Sequence, residues 1–198
     1  AIIATWNYPV QLLGIQLVQA ITAGNRVVVK PSEYAPRTQG LLLECAKAAA
    51  DDAHFPPEWI TSVEATREAG RRLLEDERFD FVVFTGSTEV GRLVAARCAH
   101  LLTPSALELS GRDSAIVLAD ADLALAARSI WHALTMNGGQ TCMAPRRVLV
   151  VESAYRAFLS ALAPLAAGAR PRRLISAESA QRCHALVQEA IGQGARSV

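Results

Sequence analysis

Cys142 and Glu108 are residues whose types can carry out covalent chemistry together. Cys142 lies in the glycine-rich run NGGQTCMAPRR, just before a strand-like segment from Val148 to Val151, and Glu108 lies upstream in ALELSGRDS. A thiolate can attack an electrophilic carbon, and a carboxylate supplied by a separate segment can act as the base. The pair therefore indicates an enzyme that works through a thioester, although Cys142 taken alone also fits a structural thiol in a loop.

Asn7 is a further candidate for this chemistry. It lies in ATWNYPV, after a strand-like run and before a helix whose first turn suits Pro9. A side-chain N–H at such a place can donate to a developing oxyanion. The alternative is an asparagine that only forms a turn, and Asn7 taken alone fits that alternative better.

Two other segments have the features of a nucleotide site. In RVVVKPSE, Lys30 and Glu33 follow a buried strand, where α/β sheets bind ligands and where an acid commonly holds ribose hydroxyls. In FTGSTEVGR, Gly86 and Ser87 join a strand to a helix that has Gly91 in its first turns, and a helix amino terminus attracts phosphate. Each segment alone also fits an ordinary surface loop or strand–turn–helix joint.

The composition narrows the class of protein. Of the 198 residues 51% are hydrophobic and 20% are charged, and the net charge of +1 gives no electrostatic case for a nucleic-acid or membrane partner. No apolar run approaches the roughly 20 residues of a membrane span, and no signal peptide is evident. The remaining cysteines, Cys45, Cys98 and Cys183, are widely spaced, so we expect no metal site and a reducing, cytoplasmic location. Helix-like surroundings predict that Cys45 and Cys98 are buried.

Strand-like and helix-like segments alternate along the first part of the chain. This alternation predicts an α/β fold in which a Rossmann-like parallel sheet carries helices on both faces. The pattern restarts after Gly111. We therefore expect one domain over residues 1–111 and the start of a second α/β domain over residues 112–198.

Some local features are also predicted. The helix expected over residues 38–52 has four residues on one face, namely Leu41, Leu42, Cys45 and Ala49. FDFVVF predicts a strand over residues 79–84. Asp120 or Asp122 is expected to cap a helix that runs to Thr135. Another helix is expected over residues 153–167, with an earlier end at Pro164 as the alternative.

The order and spacing of five motifs resemble those of the NAD(P)-dependent aldehyde dehydrogenase superfamily. The motifs are WNYPV, AGNRVVVKPSE, FTGSTEVGR, LELSGR and NGGQTC, and they extend over essentially the whole chain. The resemblance implies an aldehyde-dehydrogenase-like fold, with a cofactor-binding domain over 1–111 and part of the catalytic domain over 112–198. It also implies oxidation of an aldehyde to a carboxylic acid with NAD(P) through a cysteine thioester.

The resemblance assigns a role to each matching residue. Cys142 matches the catalytic nucleophile, Glu108 the general base, and Asn7 the side chain that shares the oxyanion hole with the backbone N–H of the catalytic cysteine. Lys30 and Glu33 match the residues that contact the adenosine ribose. The other matches on the cofactor side are Gly86, Ser87 and Gly91 in the turn beside the pyrophosphate, and Trp6 as the aromatic residue that precedes the asparagine.

The expected cofactor is NAD, with NADP as the alternative. A carboxylate at Glu33 would accept a hydrogen bond from a ribose 2′-hydroxyl and would repel a 2′-phosphate. The expected partner is a small-molecule aldehyde, whose identity the motifs do not give. The resemblance also implies that the full-length protein is a homo-oligomer.

Departures from the family pattern leave two alternatives open. Ser110-Gly111-Arg112 stands where GGK is usual, and the second acidic motif, which holds the nicotinamide ribose, does not occur in these 198 residues. Both ends are expected to be cut, so a non-catalytic fragment or pseudoenzyme that at most binds nucleotide is one alternative. An aldehyde dehydrogenase that uses coenzyme A in place of water is the other, and Glu108 argues against it because such relatives usually lack the base.

Overall fold

A parallel sheet organises the first part of the chain in the computed structural model, which describes residues 1–76 and 78–196. Its five strands are β1 (Ile2–Ile3), β2 (Val27–Lys30), β3 (Ile60–Ser62), β4 (Val82–Gly86) and β5 (Ser105–Leu109). They lie in the order β3-β2-β1-β4-β5, and each neighbouring pair is parallel. The direction of winding reverses between β1 and β4, and sheets of this kind bind ligands at the carboxyl ends of the strands beside that point.

Helices cover both faces of this sheet, as the alternating pattern predicts. They are α1 (Gln11–Thr22), α2 (Pro36–Asp52), α3 (Arg67–Glu75) and α4 (Thr88–Leu101). Ile2 packs in a cluster with Leu13 of α1 and Leu43 of α2. The next residue, Ile3, packs in a different cluster with Val94 of α4. Successive strand residues point to opposite faces, so the sheet has a separate apolar core on each side.

The inner face of α2 differs from the predicted one. Gln39 and Leu43 are buried, whereas Leu41 and Cys45 are exposed, so both the predicted face and the expected burial of Cys45 are wrong. Three consecutive leucines in α2 fit more than one rotation of the helix, and apolar periodicity alone does not choose between them. The buried amide of Gln39 is what settles the rotation, as described below. The expected burial of Cys98 is confirmed.

The two strands on the β4 side also differ from the predicted pattern. β4 covers Val82–Gly86 and not the predicted residues 79–84, because the backbone N–H of Val82 is the first to join the ladder, through the carbonyl of Pro104 at 3.0 Å. β5 was not predicted, since only two of its five residues, Leu107 and Leu109, pack into an apolar core. β5 pairs with β4 along its whole length.

Residues Ala1–Ser110 form one structural unit, and a second unit begins at Gly111. The second unit contains the parallel strands β6 (Asp113–Val117) and β7 (Pro145–Val150) and the helices α5 (Leu123–Thr135), α6 (Glu152–Ala167) and α7 (Ala177–Gly192). Its core is formed by Val117, Ala127 and Phe158. No helix in the described part of the chain has the length and apolar character that crossing a membrane requires.

The structure decides between the alternatives for two helices of the second unit. Asp122, and not Asp120, caps α5, because its Oδ1 accepts from the backbone N–H of Leu125 at 2.9 Å. The predicted helix end at Ala167 is confirmed in α6, and the alternative end at Pro164 does not occur. The residues around this proline, Ala161, Leu162 and Leu165, pack against the core, and their packing outweighs the loss of one backbone donor.

Candidate functional site

The amide of Gln39 holds together the two turns that follow β1 and β2. Its Nε2 donates to the carbonyl oxygens of Thr5 at 2.8 Å and Pro9 at 3.3 Å. Its Oε1 accepts from the backbone N–H of Ser32 at 2.7 Å, and the side chain is fully buried. The first turn contains Asn7, and the second contains the KPSE segment. A single amide from α2 therefore positions two of the segments that the sequence marks as functional.

Asn7 lies half-buried in the first of these turns, beside half-buried Trp6. The hydroxyl of Thr5 donates to Asn7 Oδ1 at 3.2 Å. This bond engages the acceptor end of the amide, so Nδ2 is the end that can donate. An N–H donor fixed at the carboxyl end of a central strand is what oxyanion stabilisation requires.

Lys30 and Glu33 form an ion pair just beyond the end of β2. Lys30 Nζ lies 3.0 Å from Glu33 Oε2, and the lysine is only 5% exposed. Gly70 of α3 gives room for the lysine, since a Cβ at that position would lie 3.2 Å from Lys30 Cδ. Packing under α3 therefore fixes the path of the lysine side chain and the place from which its ammonium donates.

Glu33 has a second cationic partner in Arg67, at the start of α3. Arg67 Nε lies 3.2 Å from Glu33 Oε1, and Arg67 Nη2 lies 3.5 Å from the hydroxyl of Tyr34. Burial raises the pKa of Glu33, but a backbone hydrogen bond, Lys30 and Arg67 together outweigh burial and hold that pKa below its ordinary value. Glu33 is thus an ionised acceptor near neutral pH. Sequence patterns do not reveal Arg67, because TREAGRR looks like an ordinary solvated helix face.

The start of α4 lies at the carboxyl end of β4. Ser87 caps it, with Oγ accepting a backbone N–H of the first turn at 3.2 Å. A Cβ on Gly86 would lie 2.5 Å from Phe84 Cζ, and a Cβ on Gly91 would overlap the side chain of Leu109. Packing alone is therefore enough to explain why glycine occupies both positions. The amino terminus of α4 still has the backbone N–H groups and the dipole that attract a phosphate.

Glu108 lies in the edge strand β5, in register with Thr85 of β4. Its neighbours Leu107 and Leu109 pack into the core under α4, so the carboxylate projects from the opposite face of the sheet. Glu108 is exposed. A solvent-accessible carboxylate can take a proton from water, as a general base must.

Cys142 lies in a loop between a 3₁₀ turn at Met136–Gly139 and β7. Gly138 and Gly139 have φ angles of 66° and 77°, a left-handed conformation that favours glycine. Thr141 is buried, and its hydroxyl donates to a backbone carbonyl of the 3₁₀ turn at 3.2 Å. Cys142 itself is half-exposed. The loop thus holds its thiol within reach of solvent on an anchored backbone.

Arg146 of β7 also anchors this loop. Its Nη2 donates to the carbonyl oxygens of Gly139 at 3.1 Å and Thr141 at 2.9 Å, and its Nη1 donates to that of Gly111 at 3.0 Å. Because Thr141 immediately precedes the cysteine, the guanidinium fixes the backbone from which the thiol projects. Arg146 is not recognisable from sequence patterns, since its acceptors are backbone carbonyls that no side-chain pattern marks.

The structure brings several candidates to one edge of the first sheet. Asn7, Lys30 and Gly86 lie just beyond or at the carboxyl ends of β1, β2 and β4, which are adjacent strands. Glu108 belongs to the same unit, near the end of β5, and Cys142 belongs to the second unit. In the described part of the chain, no group of histidine, cysteine, aspartate or glutamate side chains could hold a metal ion.

The donors and acceptors at this edge fit a dinucleotide such as NAD(P). Lys30 offers a donor and Glu33 an acceptor for ribose hydroxyls, and the start of α4 offers backbone N–H groups to a phosphate. These groups lie at the strand ends beside the reversal of winding, where doubly wound sheets bind nucleotides.

Comparisons with known proteins agree with the sequence resemblance. The sequence model of the aldehyde dehydrogenase family matches residues 1–198. The 4,4′-diapolycopene-4,4′-dial dehydrogenase of Cytobacillus firmus is 38% identical to this chain, over 98% of the chain and 42% of its own length. The geranial dehydrogenase of Castellaniella defragrans is 40% identical, over 81% of the chain and 33% of its own length.

The fold has a close counterpart among solved structures. The Mycobacterium tuberculosis aldehyde dehydrogenase, in a crystal structure with NAD⁺, matches with a TM-score of 0.90 and 31% sequence identity. The match covers 98% of this chain and 42% of that one, so the chain spans less than half the length of the proteins it resembles. The expected α/β fold and family resemblance are both confirmed.

Replacing Gln39 with leucine should lower the free energy of unfolding by about 2–4 kcal/mol, because a buried N–H loses its acceptor and two carbonyls lose their donor. Gln19→Leu, at an exposed position of α1, is the matched control and should change that free energy by less than about 0.5 kcal/mol. Urea unfolding followed by circular dichroism measures both variants. Equal effects would show that Gln39 does not hold the two turns.

Arg146→Ala should increase amide hydrogen exchange in the segment 136–144 by about tenfold. The variant loses two charge-assisted hydrogen bonds to carbonyl oxygens of this segment and the bond that ties the same guanidinium to Gly111. Arg147→Ala is the control, because Arg147 Nη2 donates instead to the carbonyl oxygen of Arg112 at 3.1 Å. Mass spectrometry of peptic fragments measures the exchange. A similar increase in both variants would contradict the assignment of the anchor to Arg146.

Proposed function

This chain belongs to the aldehyde dehydrogenase family, and we propose that the complete protein oxidises a small-molecule aldehyde to a carboxylic acid with NAD(P). The activity is proposed for the complete protein because the chain covers 42% of the length of a relative such as the C. firmus enzyme. The observation that carries the proposal is the setting of Cys142, a half-exposed thiol on a glycine loop that Arg146 anchors.

Cys142 is the proposed nucleophile. Its thiolate forms a bond to the aldehyde carbon, and the carbonyl π electrons pass to the oxygen. Asn7 Nδ2 and the backbone N–H of Cys142 are proposed to stabilise that oxyanion, and the loss of one such donor typically lowers the rate about 10²–10³-fold. The bond from the Thr5 hydroxyl to Asn7 Oδ1 supports this role, because it assigns the donor end of the amide.

The cofactor is proposed to bind to residues of the first unit. Lys30 and Glu33 would hold the adenosine ribose, and Trp6 would lie on the cofactor side of the asparagine turn. The turn beside the pyrophosphate comprises Gly86, Ser87 and Gly91. When bound, the nicotinamide supplies the hydride acceptor that turns the thiohemiacetal on Cys142 into a thioester.

Glu108 is the proposed general base. It takes a proton from water as the water oxygen bonds to the thioester carbon, and the carbon–sulfur bond then breaks to release the acid and the thiolate. The exposure of Glu108 supports water as the acyl acceptor. Coenzyme A, the alternative acceptor, would give no comparable role to this carboxylate.

The setting of the complete protein is part of the proposal. We propose a reducing, cytoplasmic location, because the four widely spaced cysteines do not suggest a disulfide framework. The proposed partner is the aldehyde, without a nucleic-acid or membrane partner, and the proposed assembly is a homo-oligomer.

Cys142→Ala should abolish aldehyde-dependent formation of NADH, because the carbon–sulfur bond cannot form. Cys45→Ala, which removes an exposed thiol from α2, should retain the activity of the parent protein. Absorbance at the NADH band with a panel of aldehydes measures both variants. If Cys142→Ala kept its activity, the assignment of the nucleophile would be wrong.

Glu108→Gln should leave a burst of about one NADH per site and slow the later turnover by roughly 10²–10⁴-fold, since only release of the acyl group needs the base. Glu44→Gln, at an exposed position of α2, is the control and should leave both phases unchanged. Stopped-flow absorbance separates the phases. Loss of the burst together with the turnover would contradict a role limited to release of the acid.

A further inference from the structure

The loop that carries Cys142 contains three successive residues in the left-handed backbone region. Asn137, Gly138 and Gly139 have φ angles of 51°, 66° and 77°. Glycine adopts this region freely and asparagine tolerates it, but left-handed residues normally occur singly, because successive ones form no stable helix of their own. This left-handed turn therefore needs bonds to other groups in order to keep its shape.

The side-chain amide of Gln140 supplies such bonds. Its Nε2 donates to the carbonyl oxygen of Asn137 at 3.3 Å, and its Oε1 accepts from the backbone N–H of Ile175 at 2.8 Å. A carbonyl can only accept and an N–H can only donate, so the two partners fix which end of the amide faces which group. The half-buried side chain thus closes the left-handed turn and ties it to a segment 35 residues further along the chain.

That segment is the connector between α6 and α7, residues 168–175. The connector also contacts the left-handed turn at Arg172, since a Cβ at Gly138 would lie 3.5 Å from Arg172 Cβ, an ordinary contact distance. Ile175 directly precedes Ser176, the N-cap of α7, whose hydroxyl accepts a backbone N–H of the first turn of that helix at 3.1 Å. The N–H that the glutamine amide binds therefore lies one residue before a capped helix start.

The two side chains that anchor the cysteine loop act at different places. Arg146 binds the carbonyl oxygens of Gly139 and Thr141, at the end of the left-handed turn and beyond it. Gln140 binds the carbonyl oxygen of Asn137, at the start of the turn, and the connector. Together they determine the plane of the peptide that follows Thr141, and therefore the direction of the proposed nucleophile and of its backbone N–H. A misplacement of about 1 Å can lower a rate about 10²-fold.

We propose that Gln140 is a positioning residue for the nucleophile, because its amide ties the turn before Cys142 to the connector. It acts through the backbone and not by contact with the aldehyde. Its bonds hold the loop in the conformation from which the Cys142 thiolate attacks the carbonyl carbon, and they direct the backbone N–H of Cys142 to the developing oxyanion. The inference rests on the proposed function, since it concerns how Cys142 is held for that reaction.

Gln140→Met in the complete protein tests this role, because methionine is similar in length but has no N–H donor and no strong acceptor. With NAD and either hexanal or benzaldehyde, the first-turnover rate of NADH formation should fall about 10²-fold. The aldehyde concentration that gives half of the maximal rate should change less than about twofold, because no group that binds the aldehyde is altered. Stopped-flow absorbance measures both values. Gln181→Met, at an exposed position of α7, is the matched control and should leave both unchanged.

Gln140→Glu gives a pH-dependent test of the same bonds. An ionised carboxylate can accept from the N–H of Ile175 but cannot donate to the carbonyl of Asn137, whereas a protonated carboxyl can do both. The first-turnover rate, divided by that of the parent protein at the same pH, should therefore rise as the pH falls towards the ordinary glutamate pKa of about 4.3. Gln140→Met should show no such recovery, and an equal recovery in both variants would contradict the assigned bonds.

Hydrogen exchange separates this inference from the proposed function. In Gln140→Met, the segments 136–144 and 168–176 should both exchange about tenfold faster, whether or not the protein oxidises an aldehyde. Faster exchange with an unchanged first-turnover rate would show a purely structural bond and overturn the proposal, while the proposed function would stand. Unchanged exchange in both segments would also overturn it. If the parent protein oxidises no aldehyde with either cofactor, the proposed function fails and the positioning role fails with it.

Discussion

The hydrogen bonds of Gln39 are the interaction on which the arrangement of the first unit depends. A glutamine amide has donors at one end and an acceptor at the other, and here both ends are engaged inside the protein, with Thr5 and Pro9 on one side and Ser32 on the other. A buried amide tolerates few other geometries, because each unpaired group would carry a desolvation cost. It therefore fixes both turns and the rotation of α2.

The order of the strands places the two turns held by Gln39 at the same edge of the sheet. Since β1, β2 and β4 are adjacent and parallel, the segments that leave their carboxyl ends converge on one edge. Lys30 reaches that edge under α3, where Gly70 leaves room for its side chain. The fold thus places the Lys30 ammonium beside the Glu33 carboxylate and brings Arg67, which is distant in sequence, to the same carboxylate. These three side chains together determine the charge at this edge of the sheet.

Sequence reasoning succeeded where signals are local and failed where contacts are distant. The alternation of strand-like and helix-like segments predicted the α/β fold, and five motifs in register predicted the family. The cap at the start of α5 was narrowed to two aspartates. The inner face of α2 was wrong because leucines at three successive positions outweighed the polar Gln39 in the pattern. Arg67 and Arg146 were missed for a related reason. Their partners lie 34 and up to 35 residues away, and several are backbone carbonyls.

The motif residues differ in how strongly their surroundings support a catalytic or ligand-binding role. Gly86 and Gly91 occupy places where a Cβ would meet the side chain of Phe84 or Leu109, so packing gives a reason for both glycines and they support the fold more than a ligand. Packing does not explain Cys142 or Glu108, because Cys142 is half-exposed and Glu108 is exposed. A thiol or carboxylate that the packing does not need, on a backbone that the structure holds in place, is the stronger argument for function.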